Sequence, residues 1–302
     1  MERHERCRRL SGDLRAVTNW SLCPSLDAFL QRCGSGLLAN ESEHNLTWGA
    51  IARARGEHAD EAYTHFFVLE DPLPVVPYAV VDLERGSLVM DTMSVAQAQS
   101  LAEFLHQQGI ALRSLKGAPE AGIAFAETWS KNSGHPYRVQ LRQALMKLTK
   151  VVMPDAAGGV MIPATENHRS LLEEFLTGFA QDCFPQESFS HEQICAQADR
   201  LIGNDQGYLW RNAAGDWVGM AGVVRTTPHT SCLSLVYTAP KHRSRGYAAR
   251  LVGTLSQAQL QEGKKACSLH TDLANPTSNA VYERVGYERI GTFVSLRLTT
   301  ET

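Results

Sequence analysis

The sequence predicts a mixed α+β fold with a mostly antiparallel sheet, and three observations predict it. Apolar residues make up 43% of the 302 residues and charged residues 20%, which is enough to build a core. Runs of β-branched and aromatic residues alternate with segments of helical apolar spacing in both halves of the chain. A segment of small, flexible residues, P-D-A-A-G-G at 154–159, separates the halves and has the composition of a linker. We therefore expect two domains, at residues 1–153 and 158–302.

The first half is expected to alternate helices and strands. Before residue 90, the patterns predict helices around 26–32 and 44–55 and strands at 64–69, 78–83 and 87–90. Ser94 and Gln97 form a capping box ahead of a helix, and Pro119 occupies a favoured first position of the next helix. The segment 137–152 fits a strand, a helix or both in succession, and the sequence leaves this open.

The second half has a clearer pattern. Its predicted elements are, in order, a strand at 160–163, helices at 170–183 and 191–202, strands at 207–211, 217–225 and 231–238, a helix at 246–261, a strand at 266–271, a helix at 275–286 and a strand at 290–298. The helix at 246–261 is expected to cross over to a parallel neighbour. The last strand is expected to close the sheet.

The segment 235–248, L-V-Y-T-A-P-K-H-R-S-R-G-Y-A, combines a strand end, a basic turn and a helix start. Backbone N–H groups at a helix start can bind a diphosphate, and Gly246 permits a close approach because it lacks a Cβ. Arg243 and Arg245 would add positive charge. Taken alone, these residues fit equally well a surface turn with two solvated arginines.

A second segment begins at Asn275 and places Tyr282 seven residues later, two helical turns on and therefore on the same face. A tyrosine there could donate a proton to a leaving group. The alternative is a capping asparagine and a tyrosine that packs its ring.

Together the two segments resemble the GNAT superfamily of acetyl-coenzyme A-dependent N-acetyltransferases. The family's Q/R-x-x-G-x-G/A diphosphate motif matches Arg243, Gly246 and Ala248. Its following motif, an asparagine, a tyrosine about seven residues on and then G-F/Y, matches Asn275, Tyr282, Gly286 and Tyr287. With the surrounding order of elements, the resemblance covers roughly residues 158–298.

The resemblance implies a role for each matched position. The strand that splays from its neighbour would present backbone groups to the pantetheine arm and polarise the thioester carbonyl, and its residues are Val236, Tyr237 and Thr238. The residues expected to wrap the diphosphate are Arg243, Ser244, Arg245, Gly246, Tyr247 and Ala248. Asn275 would contact the pantetheine, and Tyr282 would protonate the departing thiolate.

The base that takes the proton of the attacking amine is left open. His270 lies on the strand that lines the cleft, and an imidazole near its ordinary pKa would serve. The alternative is a histidine that fills the wall of a pocket. Asp272 is a second candidate, although it could simply bond backbone. The acidic residues that could attract a cationic amine, or form solvated helix faces, are Asp182, Glu187 and Glu192.

The predicted elements of the first half after residue 60 run β-β-β-α-β-α-β, which echoes the second half of a GNAT domain, but this half lacks the arginine-rich, glycine-bearing turn. We expect a degenerate GNAT-like domain without a cofactor site, as in tandem members of the superfamily. The alternative is an unrelated α+β domain that shapes the acceptor pocket or a dimer contact, and a homodimer is left open.

Charge and cysteine content narrow the class of protein. A net charge of −3 argues against a general nucleic-acid binder, and the sequence contains no signal peptide and no apolar run long enough for a membrane helix. The seven cysteines are scattered and form no C-x-x-C pair, which indicates reduced thiols. We expect a cytoplasmic enzyme without a metal.

The predicted activity is transfer of an acetyl group from acetyl-coenzyme A to a primary amine of a small molecule or a protein. Transfer would be direct, through a tetrahedral intermediate. The alternative is a non-catalytic acyl-coenzyme A-binding or interaction module of the same fold. The acceptor, and the use of acyl groups other than acetyl, stay open.

Overall fold

A single sheet of twelve strands runs through the computed structural model, which describes residues 19–55, 64–70, 76–155, 158–185 and 187–298. Strands are β1 Trp20–Leu22, β2 Thr64–Leu69, β3 Tyr78–Asp82, β4 Ser87–Met90, β5 Ser114–Gly117, β6 Arg138–Leu148, β7 Gly159–Pro163, β8 Gly207–Asn212, β9 Trp217–Thr226, β10 Thr230–Thr238, β11 Ala266–Asp272 and β12 Glu288–Arg297. Helices are α1 Leu26–Ala39, α2 Asn45–Arg55, α3 Val95–Gln107, α4 Pro119–Ser133, α5 Arg169–Cys183, α6 His191–Gly203, α7 Tyr247–Gln261 and α8 Pro276–Val285.

The predicted fold class is confirmed. Within the described residues, every strand pair is antiparallel except β4 with β5 and β10 with β11. Within residues 137–152, which the sequence left open, residues 138–148 form strand β6. The short strand β1 was not predicted, because three residues are too few to show a pattern.

The two halves have the same order of elements, β-α-α-β-β-β-α-β-α-β. The strands lie in the order β1-β2-β3-β4-β5-β12-β6-β11-β10-β9-β8-β7. If each strand is replaced by its counterpart in the other half, β1 by β7, β2 by β8 and so on, the same order is read from the opposite edge of the sheet. The sheet therefore has an approximate two-fold axis between β12 and β6.

The halves exchange their last strands across this axis. Strand β12 pairs with β5 of the first half, and β6 pairs with β11 of the second. The expectation that the last strand closes the sheet was wrong, because β12 lies at its centre. The domain division at 154–158 stays a prediction, since the sheet is continuous across it.

Helices cover both faces of the sheet and create four apolar clusters. Helices α3 and α4 pack against one face of the first half, and α7 and α8 against the same face of the second. Helices α1, α2, α5 and α6 pack against the opposite face. The polar residues of the central strands face this second side, between the two pairs of helices.

Candidate functional site

The sheet parts between β10 and β11. These strands pair only from Thr230–Ala266 to Leu233–Leu269, after which β10 stays with β9 alone. The pairing with β9 shifts register between Ser234 and Tyr237, and Leu235 has a φ of 57°. A positive φ is uncommon for leucine and marks a bulge that turns the strand away. Among the described residues, the edge formed by Val236, Tyr237 and Thr238 therefore has no strand partner on the β11 side.

The tip of the parted strand is held by its tyrosine. Tyr237 packs against α5 with its ring centroid 5.7 Å from that of Phe175. A Cβ added to Gly178 would lie 2.3 Å from the Tyr237 hydroxyl, so only glycine fits beneath this ring. The guanidinium of Arg243 lies 5.6 Å from the centroid of the same ring. These contacts keep the cleft open.

The turn that follows β10 leaves backbone donors free. Ser244 and Gly246 have φ values of 60° and 80°, and α7 begins directly after Gly246 without a side-chain cap. No described residue accepts a hydrogen bond from the backbone amides of 244–249. Consecutive free amides at the start of a fifteen-residue helix form an anion site.

The two arginines of this turn have different surroundings. Arg243 donates from Nε to the carbonyl of Thr238 at 2.9 Å and forms an ion pair with Asp182. Arg245 is exposed and has no acidic partner in the described part of the chain. Phosphate binding by both stays a prediction, and Arg245 is the arginine of the turn whose charge is not already paired.

Tyr282 lies on α8, with 8% of its surface exposed. Burial raises the pKa of its phenol above the ordinary value, so the group is protonated at neutral pH. Its ring centroid lies 6.1 Å from that of Tyr287. The hydroxyl makes no hydrogen bond to any described residue, so its proton is not already committed.

Asn275 has the capping role that the sequence offered as an alternative, and its contact with pantetheine stays a prediction. Asn275 is exposed and caps α8, accepting from the Ser278 amide at 3.0 Å. Asn279 donates to the carbonyl of Asp272 at 3.2 Å, while its Oδ1 is buried without a partner in the described residues. Sequence analysis missed Asn279, although its position three residues before Tyr282 places both on one helix face. This oxygen, on the helix that follows β11, is therefore free to accept from an N–H group of a ligand.

His270 does not have the ordinary imidazole pKa that was assumed for it as a general base. Burial, together with the charges of Arg225 and Lys116, lowers the pKa of its imidazole to about 3. Its Nε2 lies 3.1 Å from the amide nitrogen of Asn45, whose Oδ1 accepts from Arg225 Nε at 3.0 Å. The ring is therefore neutral near pH 7 and lies in a network that joins the two halves, rather than having its ordinary pKa.

The acidic candidates are spread around the cleft. Asp272 Oδ1 accepts from the backbone amide of Ala274 at 2.9 Å, so this carboxylate does bond the backbone. Asp182 pairs with Arg243, and Glu192 is exposed in the first turn of α6. Glu187 lies 3.3 Å from Gln140 Nε2, on the wall of a cavity described below.

In the described part of the first half, the helix start and the strand gap that correspond to this opening are both closed. Helix α3 begins with a complete capping box, in which Ser94 Oγ accepts from the Gln97 amide at 3.3 Å and Gln97 Oε1 accepts from the Ser94 amide at 2.8 Å. A Cβ added to Gly117 on β5 would lie 3.2 Å from the Cβ of Met90 on β4. The first half therefore lacks both the free helix start and the space of the second, in line with a degenerate site.

A buried polar cluster lies in the first half instead. The Tyr78 hydroxyl is 2.8 Å from His44 Nδ1 and 3.0 Å from Thr47 Oγ1. His44 Nδ1 is also 3.5 Å from a carboxylate oxygen of Asp91. Burial raises the pKa of Asp91 to about 7 and lowers the pKa of His44. The carboxyl of Asp91 is therefore mostly protonated below pH 7, and the imidazole of His44 is neutral at pH 7.

The folded pKa of Asp91 makes stability depend on pH. Folding raises this pKa from 3.8 to about 7, so the folded state keeps a proton that the unfolded chain loses between these values. Stability is therefore lost as pH rises through this window. Asp91→Asn should raise the free energy of unfolding at pH 8 by up to about 4 kcal/mol and leave it unchanged near pH 4.

Urea unfolding from pH 4 to 8 checks this, with the exposed Asp155→Asn as a matched control that keeps the wild-type pH profile. An identical profile for both variants would show that Asp91 ionises normally.

The described residues were compared with the requirements of a membrane-spanning helix and of a metal site. None of their helices combines the length and the apolar character needed to cross a membrane. No group of three or more histidine, cysteine, aspartate or glutamate side chains in this part of the chain is placed to hold a metal ion. The six described cysteines are free thiols, and Cys7 lies outside the described residues.

Comparison with known proteins identifies the fold of the second half. Residues 169–287 match the model of the acetyltransferase (GNAT) family. A GNAT-family acetyltransferase from Colwellia psychrerythraea matches with a TM-score of 0.53 and 13% identity, over 92% of this chain and 99% of that chain. A GCN5-related N-acetyltransferase from Sphaerobacter thermophilus matches with a TM-score of 0.53 and 17% identity, over 86% and 92% of the two chains. At these identities the likeness shows a shared fold, which extends over both halves.

One curated relative matches a shorter stretch. An uncharacterized protein of Mycobacterium leprae is 34% identical over 100 residues, which are 32% of this chain and 27% of that protein. The match thus spans about a quarter of the relative's length.

Proposed function

We propose that this chain, whose residues 169–287 match the model of the acetyltransferase (GNAT) family, is an acetyl-coenzyme A-dependent N-acetyltransferase with one active site, in its second half. One observation supports this most. A helix start with free amides, a strand edge without a partner and a buried, protonated tyrosine lie around one opening in the sheet. The corresponding helix start in the first half is capped by its own side chains.

The residues of this opening suit the parts of acetyl-coenzyme A. The free amides of 244–249, with Arg245, would bind the diphosphate. The edge at Val236–Thr238 would bind the pantetheine through backbone groups, and the orphaned Oδ1 of Asn279 would accept from one of its amides. When bound, acetyl-coenzyme A supplies the activated acetyl group as a thioester.

Tyr282 would complete the transfer. The amine nitrogen forms a bond to the acetyl carbon, the carbon–sulfur bond breaks, and Tyr282 gives its proton to the departing thiolate. The proton of the amine leaves to a carboxylate or to water, and Asp272 is the carboxylate at the end of β11. Backbone N–H groups of the bulge would stabilise the charge that develops on the carbonyl oxygen.

Direct transfer is favoured over an acyl-enzyme. Cys183 lies near Tyr282, but packing around it and the carboxylates of Asp182 and Asp272 raise the pKa of its thiol to about 11. A thiol is nucleophilic as the thiolate, so Cys183 is a poor nucleophile at neutral pH.

Thioester turnover tests the proposal. Acetyl-coenzyme A is mixed with the protein and a panel of primary amines, and free thiol is followed over time. Release that depends on both protein and amine is the expected result. Binding of coenzyme A without turnover on a broad panel would favour a non-catalytic binding module.

The low pKa of His270 leads to a further expectation. His270→Gln should lower kcat by the same factor at every pH from 6 to 9, because a ring with a pKa of about 3 does not titrate in this range. Rate profiles against pH for the variant and the wild type check this. His65→Gln on β2 serves as a control that leaves the profile unchanged. A loss confined to one side of the profile would restore His270 as the titrating base.

A further inference from the structure

A cavity of about 540 Å³ lies beside the opening, on the face of the sheet between the two pairs of helices. Its floor is formed by β5, β6 and β12, and its wall by Cys183 at the end of α5 together with Phe184, Pro185 and Glu187. Cys183 and Asp272 both line it, so one end of the cavity lies next to the parted strands. An acceptor held here would meet the thioester proposed above.

Three cationic side chains line this cavity: Lys116, Arg138 and Arg297. Arg297 lies directly opposite Arg138 on β6 and opposite Ser114 on β5, and Lys116 lies opposite Ser295 on β12. Like charges placed opposite each other on adjacent strands destabilise a sheet. The exchange of β12 into the first half is what brings these residues together.

These cations lack acidic partners within the part of the chain that the structure describes. None of the described ion pairs includes Lys116, Arg138 or Arg297. Nε of Arg297 is buried without any hydrogen-bond acceptor in the described residues. The one glutamate of the cavity, Glu187, is hydrogen-bonded to Gln140 instead. A buried N–H donor without an acceptor is costly, and an anion bound beside Arg297 would remove this cost.

The surroundings of Lys116 support the same conclusion. Its exposed side chain has the guanidinium of Arg225 and the carboxylate of Glu187 as charged neighbours. The lining itself contains three cations against two carboxylates, Glu187 and Asp272, so positive charge exceeds negative charge in the cavity. Guanidinium groups bind carboxylates and phosphates through paired hydrogen bonds, and such charge-assisted bonds are the strong ones.

We propose that the cavity selects an acceptor amine that also carries an anionic group, a carboxylate or a phosphate. The anion binds Lys116, Arg138 and Arg297, and the amine faces Asp272, which lines the cavity at its end next to the parted strands. The role as an acceptor site rests on the proposed acetyltransferase function, whereas anion binding does not. The first half then has a role in the reaction, because it supplies two of the three cations.

Thermal unfolding with inorganic probes tests the anion site. The protein is saturated with coenzyme A, so that the turn at 243–248 is filled, and then titrated with inorganic phosphate or with succinate. Either anion should raise Tm in the wild type, and Arg297→Gln should weaken its apparent affinity at least 10-fold. The matched control is Arg142→Gln on the same strand as Arg138, because Arg142 is exposed and is not part of the lining. The two probes distinguish a phosphate site from a carboxylate site.

Two results would speak against an anion site. Equal stabilisation of Arg297→Gln and Arg142→Gln, or no stabilisation of the wild type by either anion, overturns the proposal. Without ligand, Arg297→Gln should be at least as stable as the wild type, because it removes a repulsive charge. If it nevertheless unfolds, Lys116→Gln replaces it under the same criteria. If coenzyme A fails to raise Tm, the acetyltransferase proposal fails, and the same titration on Gly246→Asp still decides the anion site.

A kinetic comparison tests the acceptor class. Thiol release is measured for β-alanine and its amide, and for phosphoethanolamine and ethanolamine. At least one anionic amine should have a kcat/KM at least 10-fold above its uncharged partner, and Arg297→Gln should abolish that preference. Equal kcat/KM within both pairs in the wild type would contradict selection of an anionic acceptor.

Discussion

Gly246→Asp is expected to abolish measurable binding of coenzyme A. The aspartate would sit at the start of α7, where the amides of 244–249 are free, and would place a negative charge beside the diphosphate. Two unit charges 4 Å apart near a protein surface repel by about 4 kcal/mol, which corresponds to a loss of affinity of roughly 1,000-fold. Calorimetric titration of coenzyme A into the variant and the wild type measures this loss.

The matched control is Gly134→Asp at the end of α4. Gly134 has a φ of 73°, close to the 80° of Gly246, and nothing lies within 4 Å of its added Cβ. The control thus repeats the backbone strain and the added charge far from the turn, and wild-type affinity is expected. Wild-type affinity in a folded Gly246→Asp variant would place the diphosphate elsewhere. Because α3 is capped by Ser94, we also expect one coenzyme A per chain.

Tyr282→Phe is expected to lower kcat by 10²- to 10⁴-fold, the usual contribution of a positioned general acid. The affinity for coenzyme A should change little, because the ring is kept and the hydroxyl makes no hydrogen bond to a described residue. Steady-state thiol release and calorimetric binding separate the two effects.

Tyr287→Phe is the control for this substitution. Its hydroxyl is also buried, next to Tyr282 in the same cluster, but lies 2.8 Å from Ser256 Oγ. Removing it should cost about 1 kcal/mol of stability and leave kcat unchanged. An unchanged kcat in Tyr282→Phe would assign the acid to another group.

The turn and the tyrosine could be predicted from the sequence because their geometry is local. A glycine before a helix fixes a positive φ and a free helix start within a few residues, and a seven-residue spacing fixes a helix face. The environment of His270 could not be predicted in this way. Its pKa depends on Asn45, Arg225 and Lys116, which reach it only through the tertiary fold.

The cavity could not be predicted from the sequence either. Lys116, Arg138 and Arg297 lie on three separate strands, and each alone has the pattern of a solvated strand face. Only the exchange of β6 and β12 places them side by side, and strand pairing between distant segments leaves no local signal. The similar order of elements after residue 60 was visible from the sequence, but the strand pairing between the two halves was not.

A crystal structure of the chain with coenzyme A bound tests the central claim most directly. We predict diphosphate oxygens within hydrogen-bond distance of the amides of 244–249, the pantetheine along Val236–Thr238, and the sulfur next to the hydroxyl of Tyr282. Coenzyme A bound at the capped helix of the first half, or with its sulfur remote from Tyr282, would contradict this account.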